Sequence, residues 1–325
     1  MQEESSNVAC SLDIAAGHIE RILENIEKVV FGKRDVIKLC IVSLLARGHL
    51  LIEDVPGIGK TTIAQSLARS LDCSFSRIQF TSDMLPSDIL GISVLDPKTN
   101  EFVFRAGPIF ANIVLADEVN RTPPKTQSAL LEAMSEAQVS IEGRPHHLPK
   151  PFMVMATQNP IEYEGTYVLP ESQLDRFMLR VGIGYPPEAD ELRIMQRHEP
   201  EKALASLKPV ITSNELLALQ ARVREVAVEE SLARYMLQII LATRNHEHIV
   251  LGASPRASQS FYEACQAHAL VSGRDYVTPD DVRNLAEPVL GHRILVRSRG
   301  ADLASAARER SRVVHDIVKQ IPVPV

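Results

Sequence analysis

No stretch of these 325 residues approaches the run of about 20 apolar side chains that a membrane-spanning helix needs, so membrane insertion is not expected. Cysteine is scarce. Cys10, Cys40, Cys73 and Cys265 are scattered, with neither a CxxC pair nor zinc-ligand spacing, so they read as reduced, mostly buried thiols of a cytoplasmic protein. The opening MQEESSNVAC is acidic and polar, unlike a secretory or transit peptide. Excess basic charge is missing too. A net charge of −6 argues against a general nucleic-acid binder, with local basic patches left open. There is no internal repeat and no low-complexity tract. What is present is 45% hydrophobic residues in a chain long enough for two domains and a sizeable core.

The most informative stretch is His49 to Leu67, HLLIEDVPGIGKTTIAQSL. A short apolar run, Leu50-Leu51-Ile52, reads as a strand, Pro56-Gly57-Ile58-Gly59 as a turn, and the residues from Lys60 as a helix. Strand, glycine loop, Lys-Thr and helix form the layout of a phosphate-binding loop. Glycines let backbone N–H groups face an anion, and the helix N-terminus adds its dipole. Pro56, Gly57, Ile58, Gly59, Lys60, Thr61 and Thr62 are therefore the candidate nucleotide contacts. Lys60 would meet the β- and γ-phosphates of ATP, and the Thr61 hydroxyl would hold Mg²⁺. The consensus glycine six positions before Lys60 is replaced by Asp54. Its carboxylate is expected to turn away from the phosphates, since otherwise it would weaken binding.

Upstream, Ile19, Ile22, Leu23, Ile26 and Val29 recur at helical spacing over residues 13–30, and a second helix follows over about 35–46. Val30-Phe31-Gly32 between them lies close enough in sequence to touch a purine base. Downstream, strands are expected at Phe75–Phe80, Ile109–Ala116, Phe152–Ala156 and Met178–Ile183, with Thr122 as N-cap and Pro at the first turn of a helix over Lys125–Ala137. Hairpins are expected at 92–104 and at 138–150. Alternating strands and helices predict a parallel, doubly wound sheet. From about residue 188 the strand signal fades. Glu188–Arg197, Asn214–Val226, Ser231–Thr243, Arg256–Val271, Asp280–Leu290 and Ala304–Gln320 read as helices, which places an α/β core at 1–205 and an all-helical lid at 206–325.

A phosphate loop demands a buried strand ending in a metal-organising carboxylate, and Ile113-Val114-Leu115-Ala116-Asp117 provides it. Glu118 follows and suits the general base that polarises an attacking water. An acidic pair can simply be a solvated strand end, but Lys60 upstream favours the catalytic reading. Asn159 ends the next buried strand. It would orient the water, or would serve as a turn residue before Pro160.

Taken together, these residues resemble the AAA+ ATPases, and within them the MoxR family. The resemblance is carried by Asp117-Glu118-Val119-Asn120-Arg121, Gln127-Ser128-Ala129-Leu130-Leu131-Glu132-Ala133-Met134, Ala156-Thr157-Gln158-Asn159-Pro160, Glu164-Gly165-Thr166-Tyr167, Leu169-Pro170-Glu171 and Gln173-Leu174-Asp175-Arg176-Phe177. Weaker matches, including Gly252-Ala253-Ser254-Pro255-Arg256 and Gly291-His292-Arg293, extend it over essentially the whole chain. The resemblance implies a P-loop NTPase fold with a helical lid and Mg²⁺-dependent ATP hydrolysis. It makes Arg176 an arginine finger acting on a neighbouring subunit's nucleotide, and Arg256 the sensor-2 arginine of the lid. Arg256 also stands in the first turn of a helix, where the dipole disfavours a cation, which points to an anionic ligand.

A finger acting in trans implies a homo-oligomeric ring, a hexamer. The family further implies chaperone-like remodelling of, or metal insertion into, a protein partner, often one with a von Willebrand factor A domain. The hairpin at 92–104 matches the helix-2 insert of this clade. Both hairpins are candidates for gripping a client, or are plain surface hairpins. The competing readings are a DNA-directed motor, which the acidic charge disfavours, and a binding-only nucleotide switch, which the presence of Glu118, Asn159 and Arg176 disfavours.

Overall fold

The computed structural model describes residues 11–141, 143–159, 166–196, 199–297 and 303–324. Cys10 and the residues before it, and Pro160, Glu164 and Gly165 of the motif run, lie outside the described residues. So does Arg197, the expected end of one lid helix.

In chain order the elements are α1 (Leu12–Glu27), α2 (Arg34–Leu45), β1 (Leu50–Glu53), α3 (Lys60–Ser70), β2 (Phe75–Gln79), α4 (Pro86–Leu90), β3 (Gly91–Asp96), β4 (Glu101–Ala106) and β5 (Ile113–Asp117). Next come α5 (Pro124–Glu136), β6 (Gln138–Ile141), β7 (Arg144–His147), β8 (Met153–Gln158), α6 (Glu171–Leu174), β9 (Leu179–Val181), α7 (Glu188–Met195) and α8 (Pro200–Ala205). The chain then continues with α9 (Ser213–Val223), α10 (Glu230–Asn245), β10 (Ile249–Leu251), α11 (Pro255–Val271), α12 (Pro279–Leu290), β11 (Leu295–Val296) and α13 (Leu303–Gln320).

The central sheet is five-stranded, in the order β2-β5-β8-β1-β9, and every pair is parallel. Parallel strands are covered on both faces, so β1, β5 and β8 read as nearly continuous apolar runs with hardly a polar position before their C-terminal ends. The polar residues at those ends gather along one edge, where open α/β sheets bind ligands. Close packing fixes the entry to β1. A Cβ on Gly48 would lie 2.4 Å from Met178 Cβ, so only glycine lets β1 and β9 begin side by side.

One hydrophobic cluster runs from α1 and α2 through one face of the sheet into α9, α11, α12 and α13, so the lid shares a core with the α/β part. Each fully buried Leu or Ile contributes about 1.5–3 kcal/mol to that seam. Gln220 on α9 gives it direction by donating to the Leu44 carbonyl at 2.7 Å, which satisfies the C-terminal end of α2.

Three local expectations shift. The strand expected from Ile109 begins at Ile113. Gly107 to Ala111 forms tight turns in which Ile109 and Ala111 are buried without sheet partners. An apolar run records burial, and it does not say which residues find a ladder. The N-cap of α5 falls on Pro123, leaving Thr122 fully buried behind it. The lid also carries an antiparallel ribbon, β10 with β11, among its helices. Strands this short show no alternation to read.

Candidate active site

The phosphate loop joins β1 to α3. Gly57 and Gly59 have φ of 85° and 93°, a left-handed backbone that L-residues avoid, and open space lies where their Cβ atoms would be. With Lys60 and Thr61 in its first turn, α3 opens directly on these glycines, and an open helix N-terminus of this kind suits a phosphate anion. The Lys60 ammonium is parked on the Asp54 carbonyl oxygen, across the mouth of the loop.

Asp54 itself is accounted for. Its carboxylate accepts the N–H groups of Ile183 and Gly184 at 2.7 and 2.6 Å, and that of Val55 at 2.8 Å. It therefore faces the exit of β9 and ties the loop's base to the neighbouring strand. A carboxylate holding three backbone donors has its charge satisfied locally, so it does not oppose the phosphates.

The acidic pair ends β5, next to β8. Thr157 Oγ1 donates to Asp117 Oδ1 at 2.6 Å and accepts the Glu118 N–H at 2.9 Å, so one hydroxyl sets both residues. Arg77 on β2 holds the other Asp117 oxygen at 2.7 Å. Glu118 Oε2 accepts from Gln79 Nε2 at 2.7 Å and faces the Arg121 guanidinium at 3.2 Å. Asn159, buried at the end of β8, completes this edge. Lys60, Thr61, Asp117, Glu118 and Asn159 thus lie along the C-terminal edge of three neighbouring strands. Thr157, Arg77 and Gln79 were not singled out by sequence reasoning. The available signal was the spacing of Arg77 and Gln79, two residues apart on one face of the predicted strand.

Arg176 and Arg256 lie elsewhere. They line one cleft of about 260 Å³ with Gly48, His49 and Met178, the residues that lead into β1 and β9. In a parallel sheet this is the N-terminal edge, opposite the phosphate loop. Arg256, grouped by sequence with the nucleotide contacts, stands beside Arg176 instead of Lys60. Arg176 Nη1 donates to the Leu131 carbonyl at 2.6 Å and to the Ser135 hydroxyl, both on α5.

The loop carrying Arg176 is fastened to the lid. Ser254, the N-cap of α11, accepts the Ala257 N–H at 3.1 Å and donates to Asp175 at 2.9 Å. Buried Arg293 reaches the Phe177 carbonyl at 2.8 Å, Ser260 at 2.9 Å and the Asp175 carboxylate at 3.2 Å. His292 Nε2 donates to the same Phe177 carbonyl at 2.9 Å. Burial lowers the Arg293 pKa to about 10, with Asp175 opposing the shift. Beneath the cleft, His49 accepts the Val154 N–H on Nδ1 at 3.0 Å and donates from Nε2 to the Met134 carbonyl at 2.9 Å, so it is neutral. Burial pushes its pKa down to about 4.

Residues 49–179 match the ATPase family associated with various cellular activities, and residues 241–321 match its lid domain. Chaperone MoxR1 of Mycobacterium tuberculosis is 42% identical over 86% of this chain and 76% of its own. The chain belongs to the MoxR family of AAA+ ATPases. The uncharacterized protein YeaC of Bacillus subtilis is 47% identical over 94% of both chains. A solved structure of a Cytophaga hutchinsonii protein, described as a candidate ATPase, superposes with a TM-score of 0.87 at 34% identity, over 97% of each chain. For a MoxR-family chain, the lid fused to the core through one hydrophobic cluster sets where Arg256 can reach. No helix among the described residues is long and apolar enough to cross a membrane.

Proposed function

We propose that this protein hydrolyses ATP with Mg²⁺ in a ring, each site being shared by two subunits, and uses the cycle to remodel a protein client. The observation that carries this reading is the division of the expected site between opposite edges of the sheet. The phosphate loop, acidic pair and Asn159 face one edge, and Arg176 with Arg256 faces the other. Arginines that cannot meet their own subunit's phosphates suit the nucleotide of the next copy around the ring, which would be hexameric by family resemblance.

In this reading Lys60 and the loop N–H groups bind the phosphates, and Thr61 and Asp117 hold the metal shell. Bound Mg²⁺ would neutralise phosphate charge. Glu118 would take the proton of a water oriented by Asn159. Gln79 and Arg121 hold its carboxylate, and these are contacts it would leave to act as the base. The neighbour's Arg176 would stabilise charge at the terminal phosphate, worth roughly 10³–10⁵ in rate.

A protein client is favoured over DNA by the β3–β4 hairpin. Phe102 is 71% exposed, and Ile92, Leu95 and Val103 are also exposed, a surface suited to apolar side chains more than to phosphates. Partner class, whether a von Willebrand factor A protein or a metal-receiving enzyme, rests on the family alone. Mixing two inactive variants tests the shared site. Glu118→Gln keeps its arginines and Arg176→Ala keeps its base, so mixed rings should recover hydrolysis that neither variant shows alone. No recovery at any ratio would overturn the trans assignment.

A further inference from the structure

Helix α7 buries no residue within its own chain. It is anchored on one side only. Arg193 lies over the Phe31 ring at 4.1 Å and pairs with Asp190 at 2.9 Å, and a Cβ on Gly32 would run into the Asp190 carboxylate. At helical spacing, Glu188, Glu191, Leu192 and Met195 share the opposite face. Leu192 is 53% exposed and Met195 77%, and both carboxylates are exposed as well. One exposed leucine needs no explanation. A helix whose large apolar side chains are all exposed leaves their burial to another surface.

The position of α7 says which surface. It follows β9, whose exit is tied through Asp54 to the base of the phosphate loop, and Lys33 holds the turn between them by the Ile183 and Tyr185 carbonyls at 2.7 and 2.8 Å. The helix therefore stands at the C-terminal edge, on the nucleotide side. The surface of opposite charge lies at the other edge. Arg47, Arg176, Arg224 and Arg256 line the cleft there against a single carboxylate, Glu263. Arg176 is held by α5, but Arg47 and Arg224 are exposed, and Glu263 acts on them through space. Burial, and then repulsion from Arg224, lowers the Arg47 pKa. The two arginines thus oppose one another, as a pair awaiting further negative charge.

We propose that the outward face of α7 is a subunit contact, docking on the Arg47–Arg224 side of the next copy's cleft. The proposal rests on the shared-site reading above. Leu192 and Met195 would form the buried centre of the contact, and Glu188 and Glu191 would meet the two arginines at its rim. Two different surfaces of one chain meet in such a contact, and heterologous contacts of this kind close into rings. The same docking would bring the next copy's cleft to the edge that carries the phosphate loop.

Sedimentation velocity of the full chain over a range of concentrations, with Mg²⁺ and a non-hydrolysable ATP analogue, tests it. Leu192→Asp with Met195→Asp should raise the concentration for half-assembly about tenfold or more, and Glu188→Arg with Glu191→Arg should do the same. Adding Arg47→Glu and Arg224→Glu to the second pair should restore assembly, which a merely destabilised chain would not do. Analogue binding within about twofold of the native chain reports that each variant is folded. Unchanged assembly would leave the α7 face to a protein client and overturn this proposal, and so would failure of the reversed arginines to restore it; either result leaves the shared site standing. A native chain that stays monomeric with the analogue at every concentration overturns the shared-site reading and this proposal with it.

Discussion

Glu118 adopts φ 59° and ψ 50°, a left-handed backbone that costs a non-glycine residue roughly 1–2 kcal/mol. The bond from its N–H to Thr157 Oγ1 holds it there, and the kink turns its carboxylate off the line of β5 toward Gln79 and Arg121. Strain of this kind collects at functional positions. Glu118→Gln keeps the size and the Gln79 contact but cannot accept a proton, so it should bind ATP while turning over at least about 100-fold more slowly. Lys60→Ala should fail to bind ATP at all. Nucleotide titration beside steady-state hydrolysis separates the two, and normal turnover by Glu118→Gln would remove it as the base.

Among the elements, α11 shows how the lid is used. Its first turn holds Arg256 and no acidic residue, whereas α12 opens with Thr278 capped reciprocally by Asp281 and carries Asp280 as well. The α11 helix is fastened to the Arg176 loop, through Ser254–Asp175 and the Arg293 cluster. The lid thus holds the loop that carries Arg176, while the Arg176 guanidinium itself is held by α5. Arg293→Ala removes the cation paired with Asp175 and one of the two side-chain donors to the Phe177 carbonyl, and should destabilise the protein by about 3 kcal/mol or more. Hydrolysis should fall further than nucleotide affinity, because the damage lies at the edge opposite the phosphate loop. Denaturant unfolding and ATP titration read the two effects, and an equal loss of affinity would argue against that separation.

For the whole molecule, the shared core implies that lid and α/β part unfold together, with a pH dependence set by buried imidazoles. His49 titrates at about 4 in the folded chain and near 6.5 when unfolded, and burial holds His292 well below its ordinary value. The unfolded state thus binds more protons below pH 6.5. Stability should be full above that pH and should decline as pH falls toward 4, with His49 contributing on the order of 3 kcal/mol across the window. His49→Asn should flatten that slope in denaturant titrations at stepped pH. A slope unchanged by the variant would assign the effect to other groups.

The sequence by itself determined the strand, glycine turn and helix over residues 50–70, the carboxylates that end β5, and the succession of a parallel sheet by helices. Each depends on neighbours in the chain: glycines before Lys60, a carboxylate ending an apolar strand, apolar residues at helical spacing. It also held the family motifs, including His292-Arg293, though without their task. Only the tertiary structure decided which edge of the sheet each arginine faces, because that depends on how α11 packs across a core formed by segments hundreds of residues apart. The same holds for Asp54, which in sequence looks like a charge set against the phosphates. Folding brings it the N–H groups of Ile183 and Gly184, and a hydrogen bond across that separation leaves no local pattern to read.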